Sequence, residues 1–331
     1  MRLSLSIASP ACRALAAAAA LATAAAPSLV AQGAVNPTVA PRAAQLEREG
    51  ERAVATDMLG RYLATAPDDG RAWFHLGRFY RIDAHDWHRL GHVGDPDGQL
   101  YLDLARVALD QAMRLYIDSA PLYRGMVEMD RALLVVEDSG WAAARRRSGR
   151  GAAELPAFVI ELGLNLLGSC PTNGVLVTGT ELEAVAVWYG SLDAGFRPDV
   201  VPLRPELYAT DSLYRRQMAV ALDVDAKLPV RRALAVVGTR RPICLTPGAD
   251  TAAVSAERWM PVRLVRVGGA SVAPTADVLT VTEILGATRQ GGTVWTREVV
   301  GVYAAAAGYN DLLCSGALLL IGDLPPGACR R

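Results

Sequence analysis

The chain is poor in the side chains that most enzymes use to move protons. It has four His in 331 residues, at 75, 85, 88 and 92. None follows residue 92, which excludes a Ser-His-Asp or Cys-His catalytic group from the C-terminal half. Lysine is rarer still: Lys227 is the only one, and Arg carries the remaining positive charge. Neither sign of charge prevails. With 34 basic and 34 acidic residues, nothing favours nucleic acid or an anionic membrane as a partner. Beyond the N-terminus no apolar run is long and charge-free enough to cross a bilayer. Val299–Ile321 comes nearest, and Asn310 and Asp311 interrupt it.

What is there begins with an export signal. Arg2 and Arg13 precede an uncharged Ala- and Leu-rich run, Ala14–Val30, which is about 17 residues long and short for a permanent span. Small and apolar residues at Ser28–Ala31 complete a secretory signal peptide, with cleavage expected after Ala31. Cleavage would remove two Arg and no acid, leaving 32 basic and 34 acidic residues. The expected location is therefore periplasmic or secreted. Cysteine usage fits that address. Cys12 leaves with the signal; Cys170, Cys244, Cys314 and Cys329 remain, an even number suited to an oxidising compartment. Of three pairings, Cys170–Cys244 with Cys314–Cys329 joins neighbouring elements, and free buried thiols are the alternative.

Residues 32–42 are Pro- and Ala-rich and predict a disordered leader. From Ala43 the apolar spacing turns helical through Leu46, Ala53, Ala55, Leu59, Tyr62 and Leu63. Pro67–Gly70 stops that helix, and a second starts near Arg71 with Trp73, Leu76, Gly77 and Tyr80 on one side. An insertion over 81–99 follows, then LYLDLARVALDQAMRLYIDSAP and a further helix over Leu122–Val136. Trp141–Gly151 reads as a solvated helix end and linker, which puts a domain boundary near 150. The segment AWFHLGRFY, with Pro67 six residues before Trp73, resembles the first helix of a tetratricopeptide repeat over about Ala43–Tyr80. The resemblance implies stacked helix pairs over 43–150 that bind a peptide or an envelope protein, or brace the second domain.

The insertion gathers His85, His88 and His92 with Asp83, Asp86, Asp95 and Asp97. On a helix the three His would share one face and could hold zinc or copper. Gly91, Gly94, Pro96 and Gly98 instead predict a polar loop over much of 81–99.

The second half, 151–331, predicts a small, mainly parallel α/β domain with C-terminal helices, so the whole chain is read as α and α/β. A helix over Leu155–Leu167 leads to a short apolar strand, Val175–Thr178. Gly179 turns the chain, and Thr180 with Glu183 forms a capping box opening the next helix. A second strand, Val200–Leu203, follows Arg197-Pro198-Asp199; further strands are expected at Ile243–Leu245 and within Trp259–Val267. The order of GVLVTGTELEAVAVWYGSLDAGFRPDVVPL, RRPICLT and WMPVRLVRV resembles the soluble C-terminal tail of bacterial multi-pass membrane proteins with a protein-O-mannosyltransferase-like core. The resemblance spans about Leu155–Val267. Gly179, Trp188-Tyr189, Arg197 and Asp199-Val200 carry it. The tail's acidic Asp-Asn-Asp is replaced here by Thr180–Glu183, and the transferase core is absent. It implies a fold and an envelope context, without an activity.

The turn at Thr180 is the candidate ligand site. One glycine stands where a dinucleotide fingerprint needs three, and Glu181 and Glu183 would repel a phosphate. A cation or a sugar hydroxyl suits them better, with Trp188 stacking on a sugar, and Glu181 paired with Asp199 or Asp211 could serve acid/base work. Alternatively the acids only complement the helix dipole and Trp188-Tyr189 are core. The reading that follows is an exported, non-catalytic interaction or scaffold protein of the envelope. Its alternative is a carbohydrate-active enzyme or glycan-binding module acting through Thr180, Glu181, Glu183 and Trp188.

Overall fold

Helices dominate the computed structural model, which describes residues 35–89, 96–147, 154–253, 259–269 and 279–315. The expected signal at 1–31 lies outside them. Among the described residues no helix is long and apolar enough to cross a membrane. The chain divides into two units, Met1–Ala120 and Pro121–Arg331.

The first unit contains α1 (Val39–Arg48), α2 (Arg52–Leu63), α3 (Gly70–Arg89) and α4 (Pro96–Arg114). The expected leader is thus already helical from Val39. The single helix expected over 43–63 is two. Gly50, at φ +86°, takes the left-handed conformation that ends α1. The Glu51 N–H then bonds back to the Leu46 carbonyl at 2.8 Å, closing the helix end. The helix over 70–80 runs on to Arg89, so the polar loop expected at 81–99 is helical at both ends. The reason lies in the charges: Arg52 of α2 bonds Asp83 at 2.7 Å and also Asp86, fixing the added turns of α3 against α2. Pro96 starts α4, where a missing N–H costs nothing. Ala55, Leu59, Leu63, Ala72, Leu76, Phe79, Ala108 and Ala112 form the core of this unit. The Trp73 indole donates to the Pro67 carbonyl at 2.8 Å, pinning the loop between α2 and α3.

The second unit begins 30 residues before the expected boundary. Its first helices are α5 (Ala120–Ser139) and α6 (Trp141–Arg147). The start of the segment read as a helix end and linker is core: Trp141 is buried, its ring 5.3 Å from Trp188 and edge-on to it, whereas Arg146 and Arg147 at its helix end are exposed. Then come α7 (Ala157–Ser169), β1 (Val175–Val177), α8 (Glu181–Trp188), β2 (Val201–Leu203), α9 (Pro205–Thr210), α10 (Ser212–Leu222) and α11 (Val230–Gly238). β3 (Pro242–Leu245), β4 (Met260–Val262), β5 (Val265–Gly269), α12 (Thr282–Arg289), α13 (Val294–Ala307) and α14 (Asp311–Ser315) complete it.

The sheet has the order β2-β1-β3-β5-β4. β1 is parallel to β2 and β3, whereas β3–β5 and β5–β4 are antiparallel, so the sheet is mixed and not mainly parallel. The extended stretch expected at 259–267 is a hairpin, turned at Arg263 with φ +50°. β1, wholly buried, is the apolar run Val-Leu-Val that a strand covered on both faces requires. Cys170, at the end of α7, is joined to Cys244 of β3 by a disulfide with Cα atoms 5.7 Å apart. Cys329 and the side chain of Cys314 lie outside the described residues.

Candidate functional site

The carboxyl ends of β1 and β3 mark the topological switch point, because the chain leaves β1 toward β2 on one side and returns as β3 on the other. Open α/β sheets place ligands in that crevice. Here it is closed by one side chain. Thr180 caps α8, its hydroxyl accepting from the Glu183 N–H at 3.2 Å. Glu183 is fully buried. Its Oε2 accepts from the N–H groups of Gly179 (3.1 Å) and Thr180 (2.9 Å) and from the Thr246 hydroxyl (2.8 Å). Its Oε1 accepts from the Gly248 N–H at 2.8 Å. The loops after β1 and β3 are thereby laced together. They approach so closely that a Cβ on Gly179 would sit 2.0 Å from the Gly248 carbonyl carbon.

This geometry takes Glu183 and Trp188 out of the carbohydrate reading of the turn. Glu183 is fully buried and both its oxygens serve protein donors, so the group has no access to a substrate. Glu181 and Thr180 are exposed, and Trp188, at 1% exposure, has no face to offer a sugar. The Arg197-Pro198-Asp199 stretch is also structural. The Arg197 guanidinium grips Asp199 through two bonds, at 2.9 and 2.8 Å, and donates to the Cys170 carbonyl at 2.8 Å. That bidentate pairing holds the Asp199 carboxyl well below the usual carboxylate range, against the opposing effect of burial.

In the first unit His85 and His88 lie one turn apart on α3, His85 exposed and His88 half-buried. His92 lies outside the described residues. Asp83 and Asp86, the carboxylates nearest in sequence, are bonded to Arg52. Burial raises the Asp83 carboxyl, an effect Arg52 partly offsets.

The sequence reading missed a third feature. The C-terminal end of α8 passes into a π-helical turn, Tyr189–Asp193. Such turns insert an extra residue and recur at functional sites. Beside it lies a half-open cleft of about 250 Å³. Met129, Ala132 and Val135 of α5, Val185 and Trp188 of α8 and Leu192 of the π turn give it apolar walls. Glu128, Arg131, Arg147 and Asp193 bring charge to it. Glu128 pairs with Arg124, and Asp193 bonds the Tyr189 hydroxyl. Burial first, then Asp193, raises the Tyr189 phenol. The Trp188 indole N–H is buried with no acceptor from the protein. The sequence reading assigns Trp188 to the turn at the other end of α8 and Arg147 to a solvated helix end, and neither points to a cleft here. The π turn has no composition cue.

No protein-family model, characterised protein or solved structure matches this chain.

Proposed function

We propose that the protein is an exported, non-catalytic binding or scaffold protein of the cell envelope. The observation that carries this is Glu183: the crevice where an α/β enzyme would hold its substrate is filled by a carboxylate spent on four protein donors. The Cys170–Cys244 disulfide supports an oxidising compartment. The first unit supports binding, its α3–α4 hairpin being the kind of element that tetratricopeptide-like arrays stack. Val107 and Tyr116, at 52% and 91% exposure, present apolar surface on that unit for a peptide or protein.

The test has two arms. Expressed with its leader in a host with a periplasm, the chain should be recovered from the periplasm, beginning at Gln32 with Cys170 and Cys244 oxidised. Cytoplasmic, reduced protein would defeat the export reading. In-cell cross-linking should capture one partner, and Val107→Glu with Tyr116→Glu should abolish that capture. Unchanged capture would defeat the binding role assigned to the helical unit. A metal role for His85, His88 and His92 is decided by elemental analysis of the purified chain; absence of zinc and copper ends it.

A further inference from the structure

The Cys170–Cys244 bond does more than mark a compartment. We infer that it is a folding gate: the crevice at the switch point seals only after these two thiols have been oxidised, so the second unit matures after export. The place of that oxidation rests on the export reading; the gate itself is a property of the fold.

The seal has two halves, carried by different elements. Its acceptor, Glu183, rides on α8. Two of its donors, the Thr246 hydroxyl and the Gly248 N–H, ride on the chain leaving β3. Backbone contact ties α8 to α7, since a Cβ on Gly163 would lie 2.1 Å from the Ala186 carbonyl oxygen. Cys170 directly follows α7, and Cys244 lies in β3. The bond therefore links the α7–α8 layer to the strand that presents Thr246 two residues later. Against β1, β3 is held by three registered parallel pairs, Val175–Ile243 to Val177–Leu245. Parallel pairing is the weaker kind per residue. Without the bond, the two halves of the seal are free to drift apart.

The gate acts in one direction. Cys170 and Cys244 are both at 0% exposure. The loop into β1 packs on them: a Cβ on Gly174 would lie 2.4 Å from the Cys170 sulfur and 3.3 Å from that of Cys244. Thiol–disulfide exchange requires access for the attacking thiolate. The bond must therefore form before the unit closes over it, and a reductant cannot reach it afterwards. In formation, one Cys thiolate attacks a disulfide donor and releases one donor thiol. The second Cys attacks the resulting mixed disulfide and releases the other. The pair loses two electrons and two protons, which the donor takes up as its dithiol. The span closed, of sequence separation 74, holds α8 to α11 and β2, so the bond restricts much of the unfolded unit.

The experiment follows amide hydrogen exchange in the mature chain, oxidised and after reduction by dithiothreitol in urea and refolding with the reductant present. In the reduced chain the Gly179, Thr180 and Gly248 amides should exchange at least about thirtyfold faster, while Leu76 and Phe79 of α3 keep their rates. Loss of protection across the whole second unit would be the stronger form of the same result. Cys170→Ala with Cys244→Ala should match the reduced chain whether or not dithiol is present. Added to the folded oxidised chain without urea, dithiothreitol should cleave the bond at least about a hundredfold more slowly than in urea. Equal protection of the three amides in reduced and oxidised chains, equal loosening of α3, or cleavage in the folded chain as fast as in urea would each overturn the gate. None of these outcomes bears on export, which recovery of the processed chain from the periplasm decides separately.

Discussion

The two ends of α8 meet opposite fates in the same unit. At its N-terminus, a capping box and a buried glutamate close the crevice at the switch point. At its C-terminus, the helix widens into a π turn and walls an open cleft. The closed end holds the place where the fold's geometry predicts a ligand; the open end lies where no fold rule points. A sheet's topology thus supplies an opportunity for a site, and the side chains present decide whether it is used. Here the polar groups at the crevice satisfy one another, whereas the cleft keeps a buried donor without a partner.

The largest effect should come from breaking the closed end. Glu183→Ala leaves the Thr180 and Gly248 N–H groups without this acceptor and the Gly179 N–H with the Thr246 hydroxyl alone, and it opens a void at a fully buried position. It should cost about 3–5 kcal/mol in urea unfolding. A loss below about 1 kcal/mol would mean the crevice is not held by this group. Next in size is the disulfide. It closes a loop of sequence separation 74, and replacing Cys170 and Cys244 by Ala should cost about 2–4 kcal/mol. Because Cys244 lies in β3 beside the sealed loop, the change should also loosen the Gly248 region.

A smaller effect contrasts the two units through pH. Burial, with a contribution from the Arg78 charge, pushes the His75 imidazole of the first unit down to about 4, against Asp69. The unfolded chain binds that proton near pH 6.5. Between these values the unfolded state holds more protons, so stability falls as pH drops from about 6.5 toward 4. The loss should be on the order of 2 kcal/mol, discounted for the part of the ring that water reaches. His75→Gln should remove that part of the pH dependence, as read from unfolding midpoints at pH 7 and pH 4.5. Smallest of all should be Arg147→Glu at the open end, which should change stability by less than about 0.5 kcal/mol.

The legible parts of the fold were those set by local chemistry. The Thr180–Glu183 box and the apolar runs of β1, β2 and β3 follow from spacing and residue type alone. What was not legible depended on distant partners. Glu183 announces a cap, but nothing local says that Thr246 and Gly248 will take its remaining lone pairs. Glu161 gives no hint that it accepts from the Glu283 and Ile284 N–H groups, more than a hundred residues away, at 2.9 and 3.1 Å. The mixed sheet turns on Arg263 adopting φ +50°, a conformation its residue type disfavours. The ends of the insertion, 81–89 and 96–99, were misread because its glycines suggested a loop, while Asp83 and Asp86 bond Arg52. Trp141 was misread because four Arg follow in sequence, and the helix end they mark is solvated on one side only.

The central claim is that Glu183 seals the crevice permanently. Amide hydrogen exchange at Gly179, Thr180 and Gly248 tests it most directly. Sealed loops predict protection comparable to the β1 amides, lost only when the whole unit unfolds. Exchange at these three amides within minutes, while β1 stays protected, would show that the crevice opens and would contradict the account.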